Sequence, residues 1–179
     1  MKHTRILLLA TTLALAVAGL AACSTAPVRP LATVPQVDLK AFMGDWHVIG
    51  SIPTWFEKGA YNATDHYRLA PDGSIDIRFT YNQDGFEGEA KHMDSRGFVQ
   101  DASNAVWGVQ FVWPIKADYR IAYLSADGSQ TIIAREKRDY VWIMARRPAL
   151  AEADYQALLQ RVAALGYDVS KVQRAPQRP

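Results

Sequence analysis

Few residues of this sequence are spaced to make or break bonds. Glu87 and Glu89 alternate on what reads as one strand face, so their carboxyl groups would stand roughly 7 Å apart at the strand rise. Two carboxylates at about that distance can hydrolyse a glycosidic bond, but a solvated outer face needs the same alternation of charges and is the simpler reading. His47, His66 and His92 each fall inside a predicted strand, and none forms a close ligand pair such as His-x-x-x-His. A metal would need distant side chains to converge. There is no Gly-x-Ser-x-Gly elbow, no Gly-x-Gly-x-x-Gly loop and no P-loop. The sequence therefore assigns no catalytic residue, no metal ligand and no cofactor, and it predicts a protein that is not an enzyme. One reactive side chain stands out by position. Cys23 is the single cysteine of 179 residues, which excludes an internal disulfide and a cysteine-based zinc site.

What precedes Cys23 explains it. Met1–Ala22 holds 15 hydrophobic residues and two formal charges, Lys2 and Arg5. Ile6–Leu20 is uncharged and would span roughly 22 Å as a helix, short for the ~30 Å hydrocarbon core. A basic head, a short apolar run and small residues form a secretory signal. Leu20-Ala21-Ala22-Cys23 resembles the lipobox of bacterial lipoprotein precursors. That resemblance implies a diacylglycerol thioether on Cys23, cleavage before it, and acylation of the new amine with a fatty acid such as palmitate. Ser24 resembles the residue that permits outer-membrane sorting. Several acyl chains hold where one is marginal. Without residues 1–22, the chain has 18 basic and 18 acidic residues, so its formal excess of +2 belongs to the signal. A neutral remainder lacks the basic surface that nucleic acid requires. Pro27, Pro30 and Pro35 lie among small residues between Ser24 and Val37, so 23–37 reads as the anchor cysteine and a tether, with the folded domain at 38–174 and a loose tail at 175–179.

Period-two alternation dominates from Trp46 onward. Ile75, Ile77, Phe79 and Tyr81 alternate with Asp76, Arg78 and Thr80. Trp107, Val109 and Phe111 share one face, as do Tyr119, Ile121 and Tyr123, and again Tyr140, Trp142 and Met144. The turn pairs Asp72-Gly73, Asp84-Gly85 and Asp127-Gly128 tolerate the positive φ of tight hairpins, and Ser95-Arg96-Gly97 and Arg138-Asp139 supply further turns. Strands are expected near 46–52, 61–69, 74–82, 86–94, 104–112, 118–124, 130–136 and 140–146. Short connections predict an antiparallel meander. Eight strands suit an up-and-down barrel that closes its own edges, with a sandwich as the alternative on pattern alone. Leu150, Tyr155, Leu158, Leu159 and Val162 then recur at helical spacing. Gly166 follows as a C-terminal cap, which predicts one helix near 151–165 outside the sheet. A short strand is expected at Val169–Val172.

Three local signatures resemble those of the lipocalins. Gly44-Asp45-Trp46 matches the Gly-x-Trp that opens the first strand. Ala117-Asp118-Tyr119 is similar to Thr-Asp-Tyr before the sixth, with Ala117 in place of Thr, and Arg146 occupies the arginine position after the last strand. Tyr140–Pro148 and Gly166–Lys171 resemble the bacterial outer-membrane lipoproteins that are similar to apolipoprotein D. The resemblance covers about residues 38 to 172. It implies an all-β, eight-stranded calyx with one external helix, in which Trp46 plugs the closed end and Arg146 packs across its ring. Gly44, Trp46, Asp118, Tyr119 and Arg146 are then structural residues.

A barrel of eight strands holds one small ligand. With Trp46 and Arg146 inward at the base, Val48 and Gly50 also point inward, and Phe79, Tyr81, Trp107, Phe111, Tyr140, Trp142 and Met144 become the expected lining. The bland alternative is that these aromatics fill the interior. Trp55 and Phe56 fall in the loop at the expected mouth, where they would form a lid or meet a membrane or a second subunit. The resemblance implies carriage of fatty acids or lysophospholipids for outer-membrane maintenance under stress, and makes a homodimer plausible. Two other readings remain: an envelope interaction module with the barrel as scaffold, and, with little support, an enzyme acting on lipid.

Overall fold

The computed structural model describes residues 29–178. The signal segment, Cys23 and Ser24 lie outside the described residues. The alternating stretches form eight antiparallel strands: β1 (Gly44–Ile52), β2 (Ala60–Leu69), β3 (Ile75–Gln83), β4 (Ala90–Val99), β5 (Val106–Val112), β6 (Ile115–Leu124), β7 (Gln130–Ala134) and β8 (Val141–Ala145). Each pairs with the next, and β1 pairs with both β8 and β2, which closes the barrel. Gly44–His47 face Tyr67–Thr64 across that seam. Farther along β1, a two-residue strand β9 (Gln173–Arg174) pairs with Ser51 and Gly50. A short α1 (Leu39–Phe42), capped by the Asp38 carboxylate, precedes β1.

Alternation sorts two apolar cores. Trp46, Ile75, Phe79, Trp107, Ile121, Ile133 and Met144 pack inside the barrel. Val141, Ile143 and Ala145, the other parity of β8, pack outside against α2 (Glu152–Ala164). Tyr155, Leu158 and Val162 of α2 meet them at helical spacing. Gly166 takes φ +90° after the helix, and the amides of Gly166 and Tyr167 donate to Ala163 and Val162, a C-terminal closure that favours glycine. The Tyr167 hydroxyl lies 2.8 Å from the Arg135 amide and 3.0 Å from the Tyr140 carbonyl, which ties this segment to the β7–β8 turn.

Several boundaries differ from the sequence expectation. The segment assigned to a tether joins the barrel well before residue 38: Leu31 and Val37 are buried, and the amides of Val34 and Val37 donate to Ile121 and Ser103. Prolines remove donors without preventing an extended strap from lying on a sheet. The tail is also held, since Gln177 Nε2 donates to the carbonyls of Val48 and Ala63 at 2.8 Å. β4 begins at Ala90 rather than 86 and runs through Ser95-Arg96-Gly97, expected as a turn. A Cβ at Gly97 would stand 3.3 Å from Ile77 Cδ1 and 3.4 Å from the Trp107 ring, so the strand packs closely on its neighbours there. Glu87 and Glu89 consequently sit before the strand, where Glu87 pairs with Arg178 at 2.6 Å and Glu89 lies 3.5 Å from Lys91. The short strand expected at 169–172 is instead a 3₁₀ turn (Val169–Lys171) followed by β9. Gly50 does not face inward. A bulge between Val48 and Gly50 turns it toward the helix, where a Cβ would fall 2.9 Å from the Tyr155 hydroxyl. A second bulge turns Tyr123 outward beneath Arg161, 4.2 Å from its ring.

Candidate functional site

The closed end is built from aromatic rings. Trp46 is fully buried, its indole N–H donates to the Phe42 carbonyl at 2.9 Å, and the Arg146 guanidinium lies 3.9 Å from its ring centre. Arg146 also donates to the carbonyls of Asp45, Ala41 and Phe42, so one cation joins α1, the start of β1 and the end of β8. Gly44 makes the turn into β1 at φ +94°, a conformation costly for a side chain. Phe42 touches Trp46, Tyr67 and Trp107, and Trp107 stacks on Tyr119 at 5.1 Å. Trp107, expected in the ligand lining, is therefore part of this plug. Alternation gave its face correctly but carries no information on height along the barrel.

Above the plug lies a cavity of about 270 Å³. Phe79, Phe111, Tyr140, Trp142 and Met144 line it, joined by Ile77, Met93, Val109 and Ile133. Tyr81 does not reach it; its ring packs beside Phe79 at 5.2 Å. Asp118 and Tyr119, expected as structural residues, also border it. The Asp118 carboxylate accepts from Arg120 at 2.9 Å and from the Glu136 amide at 2.6 Å. The Glu136 carboxylate in turn accepts the Leu31 amide at 3.1 Å.

Polar groups interrupt the apolar wall at two levels. At the mouth, the β1–β2 loop folds inward around Glu57. Its carboxylate accepts the Thr54 amide and hydroxyl, each at 2.7 Å, and the Trp142 indole N–H at 2.8 Å. Arg135 borders the cavity opposite, with its Nε buried and without an acceptor among the described residues. At the floor, Asp65 stands level with Trp46 and Phe79 in the sheet register. The Tyr67 hydroxyl donates to Asp65 Oδ2 at 3.2 Å and lies 2.7 Å from the Tyr119 hydroxyl. Burial, with the nearby Glu57 charge, pushes the Asp65 carboxyl up to about 7. Burial also raises the Tyr67 and Tyr119 phenols well above their ordinary value. Asp65, Tyr67, Glu57 and Arg135 were not singled out by sequence reasoning. A usable signal was present: Asp65 shares parity with Ala63 and Tyr67, the inward residues of β2.

The rim is apolar and exposed. Trp55 is 79% and Trp113 82% exposed, and Val112 and Ile115 flank Trp113 on the β5–β6 turn. Phe56 links the two loops, 5.6 Å from Trp55 and 6.1 Å from Phe111. The histidines stand apart from the cavity: His66 pairs with Asp45 and Thr80 at 2.6 and 2.9 Å, and His47 lies 3.1 Å from the Thr64 hydroxyl.

A Gly-x-Trp plug clamped by an arginine, under an eight-stranded calyx with one outer helix, is the lipocalin arrangement, and the family model for a lipocalin-like domain matches residues 37–177. The chain belongs to the lipocalins. It is similar to the outer membrane lipoprotein Blc of Escherichia coli K12, with 29% identity over 153 residues, 84% of this chain and 85% of that protein. Mouse apolipoprotein D is 26% identical over 164 residues, covering 87% and 82% of the two chains. This lipocalin is thus one of the Blc and apolipoprotein D group. Among solved structures, the cockroach allergen Per a 4 superposes with a TM-score of 0.62 at 15% identity, over 82% of this chain and 92% of that one. A lipocalin calyx is a binding site for small hydrophobic molecules. Among the described residues, no helix is long and apolar enough to cross a membrane.

Proposed function

We propose that this lipocalin binds single-chain lipids, fatty acids or lysophospholipids, and serves outer-membrane maintenance while held there by acylated Cys23. The observation that carries the reading is the cavity: about 270 Å³, walled by Phe79, Val109, Phe111, Trp142 and Met144 and open at the end that bears Trp55 and Trp113. That volume lies just below the ~300 to ~1,000 Å³ of most ligand sites, and favours one acyl chain over two. Each buried CH₂ contributes ~0.8 kcal/mol. Tryptophans with an apolar body and a polar N–H are at home at a membrane interface. The Blc relatives, by name outer membrane lipoproteins, support the location. The strap adds to it, because Leu31 meets Glu136 in the β7–β8 turn, at the same open end. The eight residues from Cys23 reach ~28 Å at most.

Two measurements test the parts separately. Cells fed an alkyne fatty acid should label the wild-type chain and not Cys23→Ala; equal labelling, or none of either, removes the anchor. Native mass spectrometry of residues 24–179 should show co-purified single-chain lipid, and added lysophospholipid should quench Trp142 stoichiometrically. Neither lipid nor quenching would leave the barrel as a scaffold for envelope contacts.

A further inference from the structure

A calyx for plain hydrocarbon has no use for a carboxyl group at its floor, yet Asp65 stands there. Its Oδ2 accepts one hydrogen bond, from Tyr67. Among the described residues no cation pairs with it, and its carboxyl group lines the cavity. Tyr67 and Tyr119 are fixed by their rings in the plug, and their hydroxyls meet at 2.7 Å, so the acceptor is aimed by groups that cannot swing away. We propose that the floor formed by Asp65, Tyr67 and Tyr119 is a subsite for a protonated amine, and that the preferred ligands are long-chain amines bound head down with the hydrocarbon toward the mouth. The inference rests on reading the cavity as a ligand site.

An ammonium group has three donors and no acceptor. One meets the free oxygen of Asp65, and the tyrosine oxygens supply lone pairs for the others. Charge selects in the same direction. Of the elements around the floor, β1, β3, β4 and β5 present no titratable side chain to the cavity. The mouth loop presents Glu57, β6 presents Asp118 and Tyr119, and the turn before β8 presents Tyr140. Among the described residues, Arg135, beyond β7, is the one cation bordering the cavity, and it lies 3.4 Å from Asp139. Arg146 sits beneath the plug, with its N–H groups turned to carbonyls. A buried carboxyl near 7 gives up its proton to accept a cation, so amine binding weakens below that pH and binding of an uncharged chain does not.

The test uses residues 24–179, which contain the strap, the closed barrel, the helix and β9. N-phenyl-1-naphthylamine reports occupancy, and dodecylamine and dodecanol compete for it. At about pH 8 the amine should displace the reporter at a concentration about tenfold lower than the alcohol, and the preference should shrink about tenfold by about pH 5.5. Asp65→Asn, with the shape and the Tyr67 bond retained, should abolish the preference, so that the two ligands displace the reporter at equal concentrations at both pH values. Equal competition at pH 8, or a preference that survives Asp65→Asn, overturns the proposal and leaves lipid binding standing. A preference lost in Glu57→Gln and kept in Asp65→Asn also overturns it, placing the amine at the mouth. Competition by neither ligand removes the ligand site together with its floor.

Discussion

The Asp65 carboxyl has a consequence for stability that needs no ligand. In an unfolded chain it titrates at the ordinary aspartate value of 3.8; in the folded barrel burial moves it to about 7. The folded state therefore holds this proton more tightly. Between about pH 4 and 7 it binds more protons than the unfolded chain, so stability falls as pH rises and levels off above 7. About three pH units at 1.36 kcal/mol each sets an upper bound near 4 kcal/mol. Asp65 is open to the cavity, so water relieves part of this, and a loss of about 2–4 kcal/mol is expected. Asparagine at 65 carries no charge at any pH and keeps an acceptor for Tyr67. Asp65→Asn should thus match the wild type near pH 4 and exceed it by about 2–4 kcal/mol at pH 8. Urea denaturation across that range, with equal slopes for both proteins, measures the difference. Carboxylates such as Asp72 and Asp127, which hydrogen bonds hold below their ordinary value, lose stability only on the acid side and cancel between variant and wild type. Parallel stability curves between pH 4 and 8 would refute the argument and show that the cavity solvates Asp65 as bulk water does.

Trp46→Ala should cost about 3–5 kcal/mol, since it removes a fully buried indole, its hydrogen bond to Phe42 and the ring beneath Arg146; an unchanged denaturation midpoint contradicts the plug. Gly50→Ala should cost about 1–3 kcal/mol in the same assay, because its Cβ meets the Tyr155 hydroxyl at 2.9 Å; Gly85→Ala makes no such contact and controls for the loss of glycine itself. Glu57→Ala frees the mouth loop from Thr54 and Trp142, and stopped-flow displacement should show faster ligand release with little change in the floor's preference; unchanged release rates would mean the loop does not gate the cavity.

What could be read from the sequence divides by the kind of information each element needs. Strand alternation reports the face a residue takes, so the inward parity of β3, β5 and β8 and the outward faces that meet α2 were legible, as was the plug through Gly44, Trp46 and Arg146. Alternation does not report height. Trp107 and Tyr81 have the right parity and lie off the cavity for that reason. Nor does it report a bulge. Gly50 and Tyr123 each follow an irregularity that reverses the faces after it, and nothing in Val48-Ile49-Gly50 marks the extra residue. The strap at Leu31–Val37 was misread because proline and small residues describe a backbone without its own hydrogen bonds, which fits an extended segment on a barrel as well as a free one.

Asp65 was missed for a different reason. β2 reads Ala-Tyr-Asn-Ala-Thr-Asp-His-Tyr-Arg-Leu, in which Asp65 shares the parity of Ala63, Tyr67 and Leu69, but a stripe that a carboxyl interrupts does not by itself say that the carboxyl is buried. Closure against β1 decides it, by bringing Asp65 opposite Trp46. The position then breaks a rule of packing, since a buried carboxyl with a single hydrogen bond and no paired cation is unfavourable beside an apolar residue of similar size. Nothing in the plug depends on it: Tyr67 and Tyr119 are held by Phe42 and Trp107 through their rings, and their hydroxyls bond each other without Asp65. Local conflicts of this kind concentrate where a molecule binds. The charge is costly in the empty calyx and offset when a cation lies against it, so the same group that lowers stability above neutral pH raises the selectivity of the filled one. The stability curve of Asp65→Asn and the amine preference therefore measure one quantity from its two sides, and a carboxyl that fails to perturb the first has no basis for directing the second.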